Sequence, residues 1–135
     1  MGTFAEKITL LNCKDEARVE CGARKEIRQV TVEAIVDSGA FTVVINEDTR
    51  RRLGLAVVGK RMTTLANGAR EEYGLTEPVE IRWNERDTTC KAAVVPGAKA
   101  VLLGAIPLED MDLRIDMAKQ RLERAHGDSW EALLL

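Results

Sequence analysis

The chain is poor in the residues that build the commoner active sites. It has one histidine, three cysteines, three prolines and 4% aromatics in 135 residues. The histidine, His126, sits in Arg124-Ala125-His126-Gly127-Asp128, which reads as a surface loop. A Ser-His-Asp triad would have to use it, and no Gly-x-Ser-x-Gly elbow is present. Cys13, Cys21 and Cys90 are widely spaced and form no Cys-x-x-Cys pair. That pattern speaks against a zinc site and for reduced thiols in a cytoplasm. Cys90 falls in a strand and reads as core filler. No apolar run approaches the roughly 18 residues of a membrane span. Residues 1–7 lack a basic start followed by an apolar core, so no secretory signal is expected. Gly2 is followed at position 6 by Glu, not Ser or Thr, which argues against myristoylation. No charge of one sign dominates. The net charge of −2 gives no general reason to expect nucleic acid or anionic membrane as a partner.

What remains is ordinary globular material: 45% hydrophobic and 31% charged. At this length the expectation is one domain, 1–135, with enough chain to bury a core without staples.

The most informative stretch is Val30-Thr31-Val32-Glu33-Ala34-Ile35-Val36-Asp37-Ser38-Gly39-Ala40. Val30, Val32, Ala34 and Val36 alternate with polar residues, as on a half-buried strand. Ile35 breaks the alternation, so the strand ends apolar on both faces. Asp37 follows at once. A carboxylate at the exit of a buried strand is costly unless it is hydrogen-bonded or does chemistry. Ser38 can anchor the loop, Gly39 lets a backbone N–H approach the carboxylate, and Ala40 leaves room beside it. Asp-Ser-Gly alone also makes ordinary turns. The apolar strand before it and Phe41-Thr42-Val43-Val44-Ile45 after it favour a site.

Elsewhere the reading is coarse. Ile8-Thr9-Leu10-Leu11 is a strand, Lys14-Asp15-Glu16-Ala17 a turn, and Val19 to Arg28 an irregular strand and loop. Asn46 caps a short helix with Glu47 and Asp48 first, Arg50, Arg51 and Arg52 last, and Gly54 at its stop. The three arginines read as a solvated face. Residues 56–66 return to strand, and Asn67-Gly68 then predicts a type I′ hairpin turn. That hairpin is either plain or a flap over a cleft. Glu77-Pro78 begins a strand with Val79, Ile81 and Trp83 inward and Glu80 and Arg82 outward. Asn84 to Asp87 turns it, and Thr88 to Val95 returns. Ala100-Val101-Leu102-Leu103-Gly104 runs into a helix with Pro107 in its first turn and with Leu108 and Met111 on one face. Leu113 and Ile115 alternate into a last strand.

Asp37-Ser38-Gly39-Ala40 resembles the catalytic loop of aspartic proteases. With the Leu102-Leu103-Gly104 run about 65 residues later and a hairpin between, the chain resembles the retroviral-type, retropepsin-like branch (clan AA). It is most similar to the uncharacterised single-domain members of bacteria and archaea. These share a helix after the catalytic loop and a Leu-Leu-Gly…Leu-Glu…Asp run. The resemblance covers roughly 28–122, leaving 123–135 as a C-terminal tail whose Asp128 to Leu135 reads as a frayed end or a short docking helix, with Trp130 and the leucines favouring docking.

The resemblance implies an all-β fold: a small closed barrel with a flap hairpin and one or two short helices. It implies a catalytic Asp37, supported by Ser38, Gly39 and Ala40. Leu65, Ala66, Asn67 and Gly68 would form a flap against substrate. Leu102, Leu103 and Gly104 would pass beside the site, the glycine allowing close backbone approach. It implies no metal and no cofactor. Two carboxylates around one water are needed, and they share a proton and titrate as a unit; the aspartic protease dyad is the standard instance. No other aspartate here has a strand–Asp–hydroxyl–Gly context. The expected active unit is therefore a homodimer with one Asp37 per protomer, acting on peptide or unfolded protein, with no nucleic-acid or membrane partner. Ser38 would bond across the protomers. The viral enzymes carry an arginine after the second glycine where this chain has Ala105. A catalytically silent dimerisation or peptide-binding module of the same fold is the alternative. An unrelated small β-domain with a chance Asp-Ser-Gly turn is a third.

Overall fold

The structure is a computed structural model that describes residues 3–64 and 67–128. The described residues form nine strands and three short helices. The strands are β1 (Ala5–Asn12), β2 (Gln29–Val36), β3 (Val44–Ile45), β4 (Val57–Thr64), β5 (Arg70–Trp83), β6 (Arg86–Val94), β7 (Leu102–Leu103), β8 (Leu113–Asp116) and β9 (Arg121–Arg124). The helices are α1 (Cys13–Glu20), α2 (Glu47–Leu53) and α3 (Ala105–Asp110).

Seven strands join in the order β1-β2-β7-β3-β6-β5-β4, and β1 also pairs with β5. That extra pairing closes six strands into a ring and leaves β4 hanging from the outer edge of β5. The fold is thus a small all-β barrel of the retropepsin-like kind, with β4 and the start of β5 forming the projecting hairpin. β8 and β9 make a separate two-stranded ribbon.

The alternating residues of β2 set the core. Val30, Ala34 and Val36 are buried with Ile8, Leu10, Val79, Ile81 and Trp83 from β1 and β5. Leu53 of α2 and Leu108 and Met111 of the α3 segment close the remaining sides. The α2 ends match their sequence signals: Asn46 Oδ1 accepts from the Thr49 N–H at 2.9 Å, and Gly54 stops the helix in the left-handed region (φ 65°).

Four local readings need correction. The predicted turn at Lys14–Ala17 and the loop behind it begin as α1. Asn12 caps that helix, Asp15 and Glu16 fill its first turn, and Gly22 (φ 84°) follows its end. The helix has no apolar stripe; what holds it is Asp15. This carboxylate is wholly buried and receives Arg28 Nε at 2.8 Å, Arg18 Nη1 at 2.8 Å and the Arg28 backbone N–H at 3.1 Å. The strand expected to begin at Glu77 is the second half of one 14-residue strand, β5. Its ladder to β6 slips between Leu75 and Pro78, where proline has no N–H to give. There the Thr76 hydroxyl accepts the Ala92 N–H at 3.0 Å and bridges the gap. At Asn67-Gly68 only the glycine has positive φ (86°), and the hairpin closes at Thr64↔Arg70, so the connection is longer than a two-residue type I′ turn. Finally, Arg86 lies not in a polar turn but at the start of β6, 3% exposed, donating to the carbonyls of Met111, Asp112 and Gly127. The docking reading of the tail falls mostly on residues 129–135, outside the described residues.

Candidate active site

β2 delivers Asp37 to the end of the barrel. It runs parallel to β7, with Ile35 opposite Leu102 and Val36 opposite Leu103. The ladder continues one residue past the strand: the Asp37 N–H donates to the Leu103 carbonyl at 3.0 Å. The backbone of Asp37 is therefore fixed by the Leu102-Leu103 run, with Leu103 fully buried beneath it.

The loop then folds back on its own acid. Gly39 N–H donates to Asp37 Oδ1 at 2.9 Å, and Ala40 N–H to the Asp37 carbonyl at 3.1 Å. A Cβ on Gly39 would lie 3.1 Å from that same Oδ1, so the small residue keeps the approach open. Asp37 is half-buried. Among the described residues its Oδ2 has no hydrogen-bond partner, so one oxygen is held and the other is left for solvent or a ligand. Ser38 and Gly39 are exposed, and the Ser38 hydroxyl has no partner among the described residues.

The start of α3 locks the far side of the loop. Ala105 N–H donates to the Ala40 carbonyl at 2.8 Å, and Ile106 N–H to the Phe41 carbonyl at 2.9 Å. Gly104 makes this possible: a Cβ there would fall 2.3 Å from the Thr42 carbonyl oxygen and 2.5 Å from that of Ala40. Ala105, where the viral enzymes carry arginine, is the first residue of α3.

Thr42 is an anchor that the sequence reading passed over. It is 2% exposed, and its hydroxyl donates to the Lys91 carbonyl at 2.7 Å, beside Cys90 Sγ at 3.4 Å. Burial raises the Cys90 thiol above its ordinary value, which suits a packing residue better than a nucleophile. The available signal was a hydroxyl inside an otherwise apolar run.

The hairpin reaches the loop through aromatic contact. Phe41 and Tyr73 stack with centroids 6.0 Å apart and planes at 45°. A cavity of about 220 Å³ opens between them, lined by Gly39, Ala40, Thr63, Tyr73 and Val95 among others. A larger one of about 370 Å³ continues under the hairpin. Asn67 and Gly68 are exposed at its end, with Ala69 N–H donating to Asn67 Oδ1 at 2.9 Å. Leu65 and Ala66 lie outside the described residues.

Other aspartates are engaged elsewhere. Asp110 accepts from the Thr88 hydroxyl at 2.6 Å, Asp116 from the Lys119 N–H at 3.0 Å, and Asp112 faces His126 Nδ1 at 2.7 Å. No hydrogen bond or ion pair among the described residues joins Asp37 to a second carboxylate. A lone carboxylate can take a proton from water or give one, but cannot do both at once to the two ends of one reaction.

A closed small barrel with an Asp-hydroxyl-Gly loop on a parallel strand pair defines the retropepsin-like class of aspartyl proteases. The comparison with protein families agrees: the family described as gag-polyprotein putative aspartyl protease matches residues 23–110, well over half of the chain. The chain belongs to that family. No individual curated protein matches it.

Proposed function

We propose that the protein is an aspartic endopeptidase active as a homodimer, with Asp37 of each protomer as the catalytic acid. The observation that carries this reading is the Asp37 carboxylate itself: one oxygen fixed by Gly39 N–H, the other open, and no second acid hydrogen-bonded to it among the described residues. A two-fold axis through the loop supplies the second Asp37. Two such carboxylates hold one proton between them. The charged one takes a proton from water as the water oxygen bonds to the scissile carbonyl carbon. The protonated one donates to the carbonyl oxygen, giving a neutral tetrahedral diol. Collapse returns a proton to the leaving amine as the C–N bond breaks. Ser38, exposed beside the acid, is the group that bonds across the axis. Asn67 and Gly68 form the flap tip, and Leu102, Leu103 and Gly104 support the loop from β7.

The reading extends to residues 1–135 as a single domain of the prokaryotic single-domain kind, working in a cytoplasm. The described helices include none long and apolar enough to cross a membrane. The outer edge of β4 favours a second reading, a silent module that binds an extended peptide by strand addition.

The test is a peptide-library digest by wild type and Asp37→Asn, with mass measured by sedimentation. Cleavage lost with Asp37→Asn in a dimeric protein is the expected result. Cleavage that survives the substitution, or that comes from a strictly monomeric protein, would refute the assignment.

A further inference from the structure

The hairpin carries a charge on the side that faces the cavities. In the β4–β5 ladder Thr63 pairs with Glu71 and Arg61 with Tyr73, so these four side chains share one face. Met62 and Glu72 share the other, where Glu72 meets Lys60 at 3.4 Å. Thr63 and Tyr73 line both cavities, which fixes their face as the inner one. Glu71 therefore belongs to the inner wall. Among the described residues it has no ion-pair or hydrogen-bond partner. Arg61 shares its face but forms no ion pair with it.

The two cavities differ in chemistry. The smaller, beside the Asp37 loop, is walled by Gly39, Ala40, Phe41, Val44, Ala93 and Val95, with no charged residue. The larger has Tyr73, Val95 and Pro96 along its sides and two acids at its border, Glu71 and Glu72, of which Glu72 already meets Lys60 and Glu71 meets no cation among the described residues. A cavity with apolar walls and an exposed, unpaired carboxylate at its border suits a long aliphatic side chain with a cationic head. Tyr73 adds a ring face that a cation can approach. The cavities share Thr63, Tyr73 and Val95, so they are neighbours along the cleft. In an extended peptide, side chains i and i+2 leave the same face about 6.6 Å apart.

We propose that the larger cavity is a subsite for a lysine or arginine of an extended peptide, with Glu71 as its specificity residue, two positions from an apolar residue held beside the Asp37 loop. This rests on the peptide-cleft reading above and names the substrate that the cleft selects. Glu71 touches the substrate side chain and takes no part in bond breaking.

Binding and cleavage separate the two claims. Fluorescein-labelled decapeptides carry a central leucine and, two residues to either side, lysine, norleucine or glutamate. Their affinity is measured by anisotropy on full-length Asp37→Asn protein, and their cleavage on wild type. One of the two lysine placements is expected to bind about fivefold better than its norleucine counterpart, with the preference shrinking as salt rises. Glu71→Gln should remove that preference, and Glu71→Lys should shift it to the glutamate peptide. Equal affinity for lysine and norleucine, a preference that survives Glu71→Gln, or no binding of any peptide would each overturn the subsite. Lysine-selective binding without cleavage by wild type would support the subsite and remove the protease reading alone.

Discussion

Gly104 lies so close to Ala40 that a Cβ on it would sit 2.5 Å from the Ala40 carbonyl oxygen. Its φ of −97° is one that alanine adopts readily, so the barrier is steric and comes from backbone, which cannot swing aside. Gly104→Ala should cost about 2 kcal/mol, read as a lower urea midpoint with an unchanged m-value. Gly97→Ala, where a Cβ would meet nothing within 4 Å, should stay within about 0.5 kcal/mol of wild type. Equal effects at the two positions would show that the contact is not rigid.

Asp37→Asn keeps an oxygen for the Gly39 N–H but loses the charge. Peptidase turnover should fall at least about 10³-fold while the melting temperature holds. Because the proposed dyad needs both acids, subunit exchange of wild type with an equal amount of Asp37→Asn should leave about a quarter of dimers active. About three-quarters of dimers active after full exchange would mean that one carboxylate suffices.

Asp15 is the buried charge whose removal should be felt most. The Arg28 hydrogen bond holds its carboxyl well below the usual range, against the opposing pull of burial, with Arg18 helping. An acid with a depressed folded value stabilises the protein above its unfolded value, near 3.8, and loses that contribution as pH falls toward the folded value. Denaturation midpoints measured from pH 6 to pH 2 should drop steeply for wild type below about pH 4, and less steeply for Asp15→Asn. At pH 7 Asp15→Asn should cost about 3 kcal/mol, the low end for a broken buried pair, because Arg18 and Arg24 remain partly hydrated. A pH profile identical in the two proteins would place the acid sensitivity elsewhere.

Arg86 ties the end of α3 and the β9 segment to the barrel through three carbonyl groups. Arg86→Ala strips those acceptors of their donor and should cost about 3 kcal/mol. Hydrogen exchange should speed up between residues 111 and 127 and stay slow in β1, β2 and β5. Uniform acceleration across the chain would mean that Arg86 supports the whole barrel.

The candidate site was legible where residue type and backbone demand coincide. Val36-Asp37-Ser38-Gly39 and Leu102-Leu103-Gly104 each announce a strand end that needs a glycine, and the two strand ends lie side by side. α2 was legible because Asn46, its acids, its arginines and Gly54 agree. α1 offered a cap in Asn12 and a stop before Gly22, yet no apolar face at helical spacing. Its stability comes from Asp15 reaching Arg28 across the chain, which no local pattern shows. The continuity of β5 was hidden by Pro78, since a proline that marks a bulge looks the same in sequence as one that starts a strand. Phe41 meets Tyr73 only because the hairpin folds over the loop, so that contact too was out of sight.

The parallel pairing of β2 with β7 has a consequence for the order in which the chain folds. Residues 29–36 can pair with β1 early, because both come from the first third of the sequence. The Asp37 backbone cannot be set until Leu103 arrives, and the Ala40 carbonyl waits for Ala105. Contacts of such sequence separation close late and slowly. A nascent or partly unfolded chain therefore carries Asp37 without its cradle, and the carboxylate takes its working position only when the barrel is complete.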